Sequence, residues 1–213
     1  MRKPDYERRV VVTGLGVISS VGNDPKTAWS NLVNGVSGLV PLTRFDTTPY
    51  DAKWGGEVHD FVAGDWMDAK AARRGESTMA FGVATAKQAL ADSGFEITDE
   101  NRTEVGVVYG SGAGGQALMI ESVNNLRDKG PRSVAPTFIA NALTDSTSGM
   151  IAIETGAIGH NVCIVSACAT GTHNIGEGAE AIRRGDCIAV ISGSAESPLL
   201  EVGHAGFSNM RGM

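Results

Sequence analysis

A cysteine between an apolar run and a helical pattern is the residue of this chain best suited to chemistry. Cys168 follows the apolar stretch 162–165, which predicts a buried strand, and precedes Ile175 and Ile182, whose spacing predicts a helix. The thiol is expected at the helix N-terminus, where free N–H groups and the helix dipole favour thiolate and can bind a developing oxyanion. The alternative is a buried structural cysteine, and the position alone leaves both interpretations open.

The segment 166–176 resembles the active-site segment of the β-ketoacyl-acyl carrier protein synthases, the decarboxylating condensing enzymes of fatty acid and polyketide synthesis. Other segments resemble the same family and follow in its order: 10–16, 110–115, 130–132, 136–138, 192–196 and 206–207. The resemblance begins near residue 8, continues to the last residue and is closest to the synthase II branch. It implies one half of a duplicated, thiolase-like α/β fold, with a mixed sheet covered by helices on both faces.

The resemblance also implies a reaction and a set of substrate-binding residues. Cys168 would accept an acyl group from acyl carrier protein, and condensation with malonyl-loaded carrier would follow. Ala113 would border the acyl pocket, where the family commonly has a bulkier residue; it either widens the pocket or reflects drift. Phe138 would reach the acyl pocket of a second copy, and Phe207 would lie on a loop near the active site. Strand 162–165 would pair with its copy across a two-fold axis, so a homodimer is expected.

The histidines do not complete the catalytic set that the resemblance implies. The family uses one cysteine and two histidines, and both histidines lie in the second half of a chain about twice this long. The four histidines here, at positions 59, 160, 173 and 204, match neither catalytic motif. His173 lies five residues after Cys168 and is expected to face elsewhere on the helix. We therefore expect residues 1–213 to be a single N-terminal thiolase-like domain, truncated at its C-terminus and unable to condense alone.

A basic cluster stands out in an otherwise acidic chain. Lys70, Arg73 and Arg74 fall on one face of a predicted helix. Such a cluster is usually only a solvated face. The resemblance nevertheless matches these positions, and Arg211, to basic residues that dock the strongly acidic carrier protein. A second cluster at positions 127, 129 and 132 is interpreted as ordinary surface.

Composition bounds the remaining classes of function. A net charge of −6 argues against nucleic-acid binding. The sequence contains no run of 18 apolar residues, so no membrane span is predicted. The three cysteines, at positions 163, 168 and 187, form no metal-binding spacing and no disulfide framework, so no metal is expected. No cofactor is expected either. The N-terminal segment lacks an apolar signal region, and a cytoplasmic protein is the expectation.

Three alternatives to a fatty acid synthase stay open on the sequence. Segments 10–19 and 110–115 each contain part of a dinucleotide-binding fingerprint, but the acidic residue that should follow a second strand is missing. A type II polyketide ketosynthase would carry the same cysteine segment. A non-catalytic partner subunit, like the chain-length factors, usually lacks the cysteine, so Cys168 argues against it.

Strands alternate with helices along the chain, which predicts a sheet covered on both faces. Strands are predicted at 9–13, 105–109, 162–165 and 188–192. Helices are predicted at 25–34, with Asp24 as N-cap and Pro25 in the first turn, and at 68–92, ending near Gly94. Further helices are predicted near 115–128, at 137–155 and after Cys168, and residues 35–66 are predicted to be loops.

Overall fold

The structure, a computed structural model, describes residues 4–213. The chain forms two compact units. The larger unit contains the described residues up to Leu15 together with Ala63–Glu196, and the smaller contains Gly16–Val62 together with Ser197–Met213. The α-helices are α1 Pro25–Val33, α2 Ala69–Arg74, α3 Ser77–Ser93, α4 Gln116–Lys129, α5 Phe138–Ala142, α6 Ser146–Thr155, α7 Thr170–Arg184 and α8 Glu201–Asn209. None of the helices within residues 4–213 is long and apolar enough to cross a membrane.

The larger unit is built on a three-stranded parallel sheet. Its strands are β3 Val105–Gly110, β4 Asn161–Val162 and β5 Ala189–Ser194. The two earlier strands, β1 Leu39–Pro41 and β2 Trp54–Gly56, are very short and belong to the smaller unit. The buried strand β3 lies in the centre and pairs with both neighbours. Because parallel strands place their carboxyl ends at one edge, the segments after β3, β4 and β5 meet there.

Helices cover both faces of this sheet. The Tyr109 hydroxyl lies 3.0 Å from the Thr85 hydroxyl of α3, whereas a Cβ on the adjacent Gly110 would meet Thr170 and Asn174 of α7. Neighbouring residues of a strand point to opposite faces, so α3 and α7 lie on opposite sides of the sheet. The predicted α/β architecture is confirmed.

The first predicted strand is wrong. Residues 9–13 are not part of a strand, and Val11 and Val12 are 72% and 75% exposed. An apolar, β-branched run favours extended backbone, but a strand also needs a neighbouring backbone to pair with. In the described part of the chain no strand pairs with this segment.

Two predicted long helices are each broken in the structure. The helix predicted at 68–92 is interrupted at Gly75, whose backbone is extended, and α3 then ends at Gly94 in the left-handed region as expected. The helix predicted at 137–155 is interrupted after Ala142. The Ser146 hydroxyl lies 2.6 Å from the Ala140 carbonyl oxygen and 2.7 Å from that of Leu143, and its one proton can be donated to either at the end of α5.

The smaller unit contains α1, a short antiparallel hairpin and α8. Helix α1 has the predicted cap, because the Asp24 carboxylate accepts the Thr27 N–H at 2.9 Å. Strands β1 and β2 pair within the region predicted to be loops. The buried carboxylate of Glu57 stabilises this unit by accepting hydrogen bonds from the Thr43 N–H and hydroxyl and from the Arg44 N–H.

Candidate active site

Cys168 lies in a tight turn between β4 and α7, as the sequence predicts. The residues Ala167–Ala169 form one 3-10 turn directly before Thr170, the first residue of α7. Ala167 has a positive φ of 52°, which is uncommon for a residue other than glycine. The turn leaves the Cys168 side chain exposed. A thiol in this position is accessible to a substrate and close to a helix N-terminus.

Asn174 holds the two ends of the Cys168 turn together. Its side chain is fully buried, accepts the Ile164 N–H at 3.1 Å and donates to the Ile164 carbonyl at 2.9 Å. It also donates to the Thr170 carbonyl in the first turn of α7 at 2.7 Å. These bonds explain why β4 ends at Val162 rather than at the predicted residue 165, since a side chain occupies the backbone groups of Ile164.

His173 is an exposed residue in the first turns of α7 that contacts the segment before Cys168. Its Nδ1 lies 2.6 Å from the Ser166 hydroxyl, two residues before Cys168. Cys168 itself lies in the 3-10 turn before α7, outside the regular helix that carries His173. The Ser166 N–H donates to the Thr170 hydroxyl at 2.9 Å, which further fixes this turn.

The other two cysteines are less suited to act as nucleophiles. Cys163 is half-buried and donates to the Thr144 carbonyl at 3.4 Å, and burial raises the pKa of its thiol. Cys187 is buried, and burial raises the pKa of this thiol as well. A higher pKa leaves less thiolate of these two cysteines at neutral pH. Cys168 is the one exposed cysteine of the three, so it is the best candidate for a nucleophile.

The glycine-rich loop, defined here as residues 110–115, packs against the Cys168 turn. A Cβ on Gly112 would lie 3.1 Å from the Ala167 carbonyl oxygen, and the Gly112 N–H donates to the Glu196 carboxylate. The half-buried Ala113 follows in this loop. The Gly115 N–H donates to the Ala142 carbonyl of α5 at 3.3 Å, so the loop also contacts the helix that begins at Phe138.

The remaining predicted residues lie in different units. Phe138 is half-buried at the start of α5 in the larger unit. Phe207 lies within helix α8, so the expected loop at this position is wrong, and Arg211 lies just after the helix. Both are exposed residues of the smaller unit. Within that unit Phe207 lines a mostly apolar cavity of about 740 Å³, together with Leu39 and Trp54.

The basic cluster occupies the short helix α2. Lys70, Arg73 and Arg74 are all exposed, and none of them forms a salt bridge within the described residues 4–213. Asp68 caps the helix by accepting the N–H groups of Ala71 and Lys70. The Ala71 hydrogen bond, with the charges of Lys70 and Arg73, lowers the pKa of Asp68. The cluster therefore presents positive charge to solvent.

Comparison with known proteins decides the family. Residues 7–213 match the family model described as the β-ketoacyl synthase N-terminal domain. The chain belongs to the β-ketoacyl synthase family. The 3-oxoacyl-(acyl-carrier-protein) synthase 2 of Staphylococcus aureus (strain N315) is 40% identical over 206 residues, and that of Vibrio harveyi is 42% identical over 201 residues. These matches cover 97% and 94% of this chain but 50% and 48% of the relatives, so the chain spans half of their length or slightly less.

Solved structures of β-ketoacyl synthases confirm the thiolase-like fold. The ishigamide ketosynthase/chain length factor matches with a TM-score of 0.83 and 28% identity, over 95% of this chain and 51% of that one. A β-ketoacyl synthase from Burkholderia phymatum matches with a TM-score of 0.82 and 25% identity, over 95% of this chain and 50% of that one.

Two residues near the cysteine of this β-ketoacyl synthase domain were missed by sequence reasoning. Asn174 lies six residues after Cys168. A side-chain amide within a predicted helix is the one local indication that this residue could bind backbone groups. Glu196 ends a segment that resembles the family, but nothing in the sequence shows that it reaches the loop 84 residues earlier. Both act through contacts made by the folded chain.

Proposed function

We propose that this domain accepts acyl groups on Cys168 as part of a β-ketoacyl-acyl carrier protein synthase that elongates fatty acids. The observation that carries the proposal is the position of Cys168, exposed in the turn directly before α7. The name and identity of the curated relatives support the substrate class, an acyl chain carried as a thioester on acyl carrier protein.

The geometry supports a covalent acyl-transfer step. The Cys168 thiol loses its proton to solvent, and the thiolate attacks the carbonyl carbon of the acyl thioester, forming the new C–S bond. The tetrahedral oxyanion then collapses, the bond to the carrier sulfur breaks, and the carrier thiolate takes up a proton. Within residues 4–213 the Cys168 N–H donates to no backbone or side-chain acceptor, so it can stabilise the oxyanion.

Ala113 is proposed to border the acyl pocket of its own chain, and Phe138 is proposed to reach the acyl pocket of a second copy. Their support is the contact of the glycine-rich loop with the Cys168 turn on one side and with α5 on the other. A small residue at Ala113 leaves room for a chain beside the loop. Phe207 is proposed as a further substrate-binding residue, supported by its place on an apolar cavity.

The proposed partner is acyl carrier protein, bound through the basic cluster on α2 and through Arg211. Exposed cations that form no salt bridge among residues 4–213 attract an acidic protein and mainly speed its association. A homodimer is a second proposed assembly. Strand β4 lies at the edge of the parallel sheet, and a free strand edge can pair with the same strand of a second copy.

A polyketide ketosynthase is the alternative function. The structural likeness to the ishigamide ketosynthase/chain length factor, at 28% identity, favours it. The higher identity of 40% to a 3-oxoacyl-(acyl-carrier-protein) synthase 2 favours the proposed function. The condensation step needs groups that stabilise the malonyl carbanion. The resemblance assigns this role to two histidines of the family, and none of the four histidines in this chain matches either of them. Acyl transfer, rather than condensation, is therefore the activity proposed for these 213 residues.

Acyl transfer from acyl carrier protein loaded with saturated chains of graded length tests this proposal. We expect the chain to gain the mass of a saturated acyl group and the Cys168→Ala variant to gain none. Acylation by polyketide-type β-keto chains in preference to saturated chains would support the alternative. Equal acylation of the wild type and Cys168→Ala would contradict both functions.

A further inference from the structure

We infer that Glu196 is a positioning residue that holds the glycine-rich loop against the turn carrying Cys168. The inference rests on the proposed acyl transfer, since it assigns Glu196 a role in that reaction without contact to the reacting atoms. Glu196 follows β5, and its side chain crosses to the loop that follows β3. The two strands are neighbours in the sheet, which brings residues 84 positions apart into contact.

One carboxylate oxygen of Glu196 organises the start of the loop. Oε1 accepts the Gly112 N–H and also lies 3.2 Å from the hydroxyl of the fully buried Ser111. That hydroxyl donates to Glu196 and accepts the Gly114 N–H at 2.8 Å. The carboxylate thereby fixes Gly112 directly and Gly114 through Ser111, and Ala113 lies between these two fixed residues.

The fixed loop in turn supports the backbone of the cysteine turn. A Cβ on Gly112 would lie 3.1 Å from the Ala167 carbonyl oxygen and 3.3 Å from the Ala167 Cα, so the two backbones are in close contact. Ala167 has a positive φ and directly precedes Cys168. Movement of the loop would allow Ala167 to leave this unfavourable conformation, and the Cys168 N–H and Sγ would change direction with it.

The position of Glu196 makes a purely structural role an incomplete explanation. Glu196 is exposed, so its carboxylate is not required to fill a core. The ladder between β3 and β5 is already continued by the Ala195 N–H, which donates to the Gly110 carbonyl at 3.1 Å. The added effect of Glu196 falls on Gly112, the loop residue that contacts the turn of Cys168.

Two reactions of Cys168 distinguish positioning from general damage. Acylation by an acyl pantetheine thioester depends on an aligned oxyanion donor, whereas alkylation by iodoacetamide does not. We expect Glu196→Ala to slow acylation by about tenfold or more, as small misplacements of reacting groups do. Iodoacetamide alkylation should stay near the wild-type rate, and Glu196→Gln, which keeps an acceptor oxygen, should recover most of the acylation rate. Glu201→Ala removes another exposed carboxylate and should leave both rates unchanged.

The inference would be overturned if Glu196→Ala were acylated at the wild-type rate. It would also be overturned if the variant lost acylation and alkylation to the same extent. Amide hydrogen exchange at Gly112 gives a second readout that does not depend on activity. Exchange should be faster in Glu196→Ala than in the wild type and in Glu196→Gln, because the Gly112 N–H loses its acceptor. If the wild type is not acylated at all, the proposed function fails. Unchanged exchange at Gly112 would still overturn the anchoring role of Glu196.

Discussion

At the scale of single residues, two buried carboxylates respond to pH in opposite directions. Burial tends to raise the pKa of Glu57, but the hydrogen bonds from Thr43 and Arg44 outweigh it and leave the pKa below its usual value. Burial also raises the pKa of Glu76, where the one N–H of Leu118 does not compensate. Glu57 therefore stabilises the fold above the unfolded pKa of about 4.3, and this stability is lost as the pH falls. The contribution of Glu76 is present below that pH and is lost as the pH rises through its folded pKa.

The first prediction concerns these two carboxylates. Glu57→Gln should lower the free energy of unfolding at pH 7 by about 1–3 kcal/mol, because a side-chain NH₂ would face backbone donors. The deficit should begin to shrink as the pH falls below about 4.3, because the wild type then starts to lose the same contribution. Glu76→Gln is the matched control and should cost less at pH 7. Urea unfolding of both variants at pH 7 and pH 4 measures this. A Glu57→Gln deficit that grows on acidification would contradict the assignment.

At the scale of the elements, the sequence correctly predicts those helices, strands and caps that depend on nearby residues alone. Alternation and helical spacing place β3, α4 and α7 within a few residues, and the Asp24 cap is identified from the residue type alone. The same reasoning misses the break at Gly75 and the short hairpin of β1 and β2, because those depend on turn geometry and on pairing between segments. The Cys168 turn is predicted from the flanking elements, but the bonds of Asn174 across it require the folded chain.

The second prediction concerns the buried amide across the Cys168 turn. Asn174→Ala removes three hydrogen bonds and leaves the N–H and carbonyl of Ile164 without those partners. The cost should be about 2–4 kcal/mol in the free energy of unfolding. Ile175→Ala, at the next position of α7, is the control and should cost little because Ile175 is 54% exposed. Thermal unfolding of the two variants compares them, and an equal loss in both would show that Asn174 does not hold the turn.

At the scale of the whole molecule, charge is unevenly distributed. The chain carries a net charge of −6, yet the exposed face of α2 is basic. The net negative charge repels an acidic partner, whereas an exposed basic face attracts it, which steers the partner toward such a face. The proposed carrier protein has the charge that this arrangement would select.

The third prediction tests this docking face. Reversing Lys70, Arg73 and Arg74 to glutamate should weaken binding of acyl carrier protein by about tenfold at low salt, mainly through slower association. Added salt should narrow the difference because it screens exposed charges. Reversal of the second basic cluster at Arg127, Lys129 and Arg132 is the control, and it should change binding by less than about twofold if that cluster is ordinary surface. Surface plasmon resonance at two salt concentrations measures both. Equal losses in the two variants would show that only total charge matters.

The central claim, that Cys168 accepts the acyl group, is tested most directly by locating the acyl group on the chain. Trypsin leaves Cys163 and Cys168 in one peptide, residues 133–183, so fragmentation between the two positions is needed to assign the modification. After incubation with acyl-loaded carrier protein, we predict an acyl thioester on Cys168, with Cys163 and Cys187 unmodified and no acylation of the Cys168→Ser variant. Acylation confined to Cys163 or Cys187, or none on a chain that circular dichroism shows to be folded, would contradict the account.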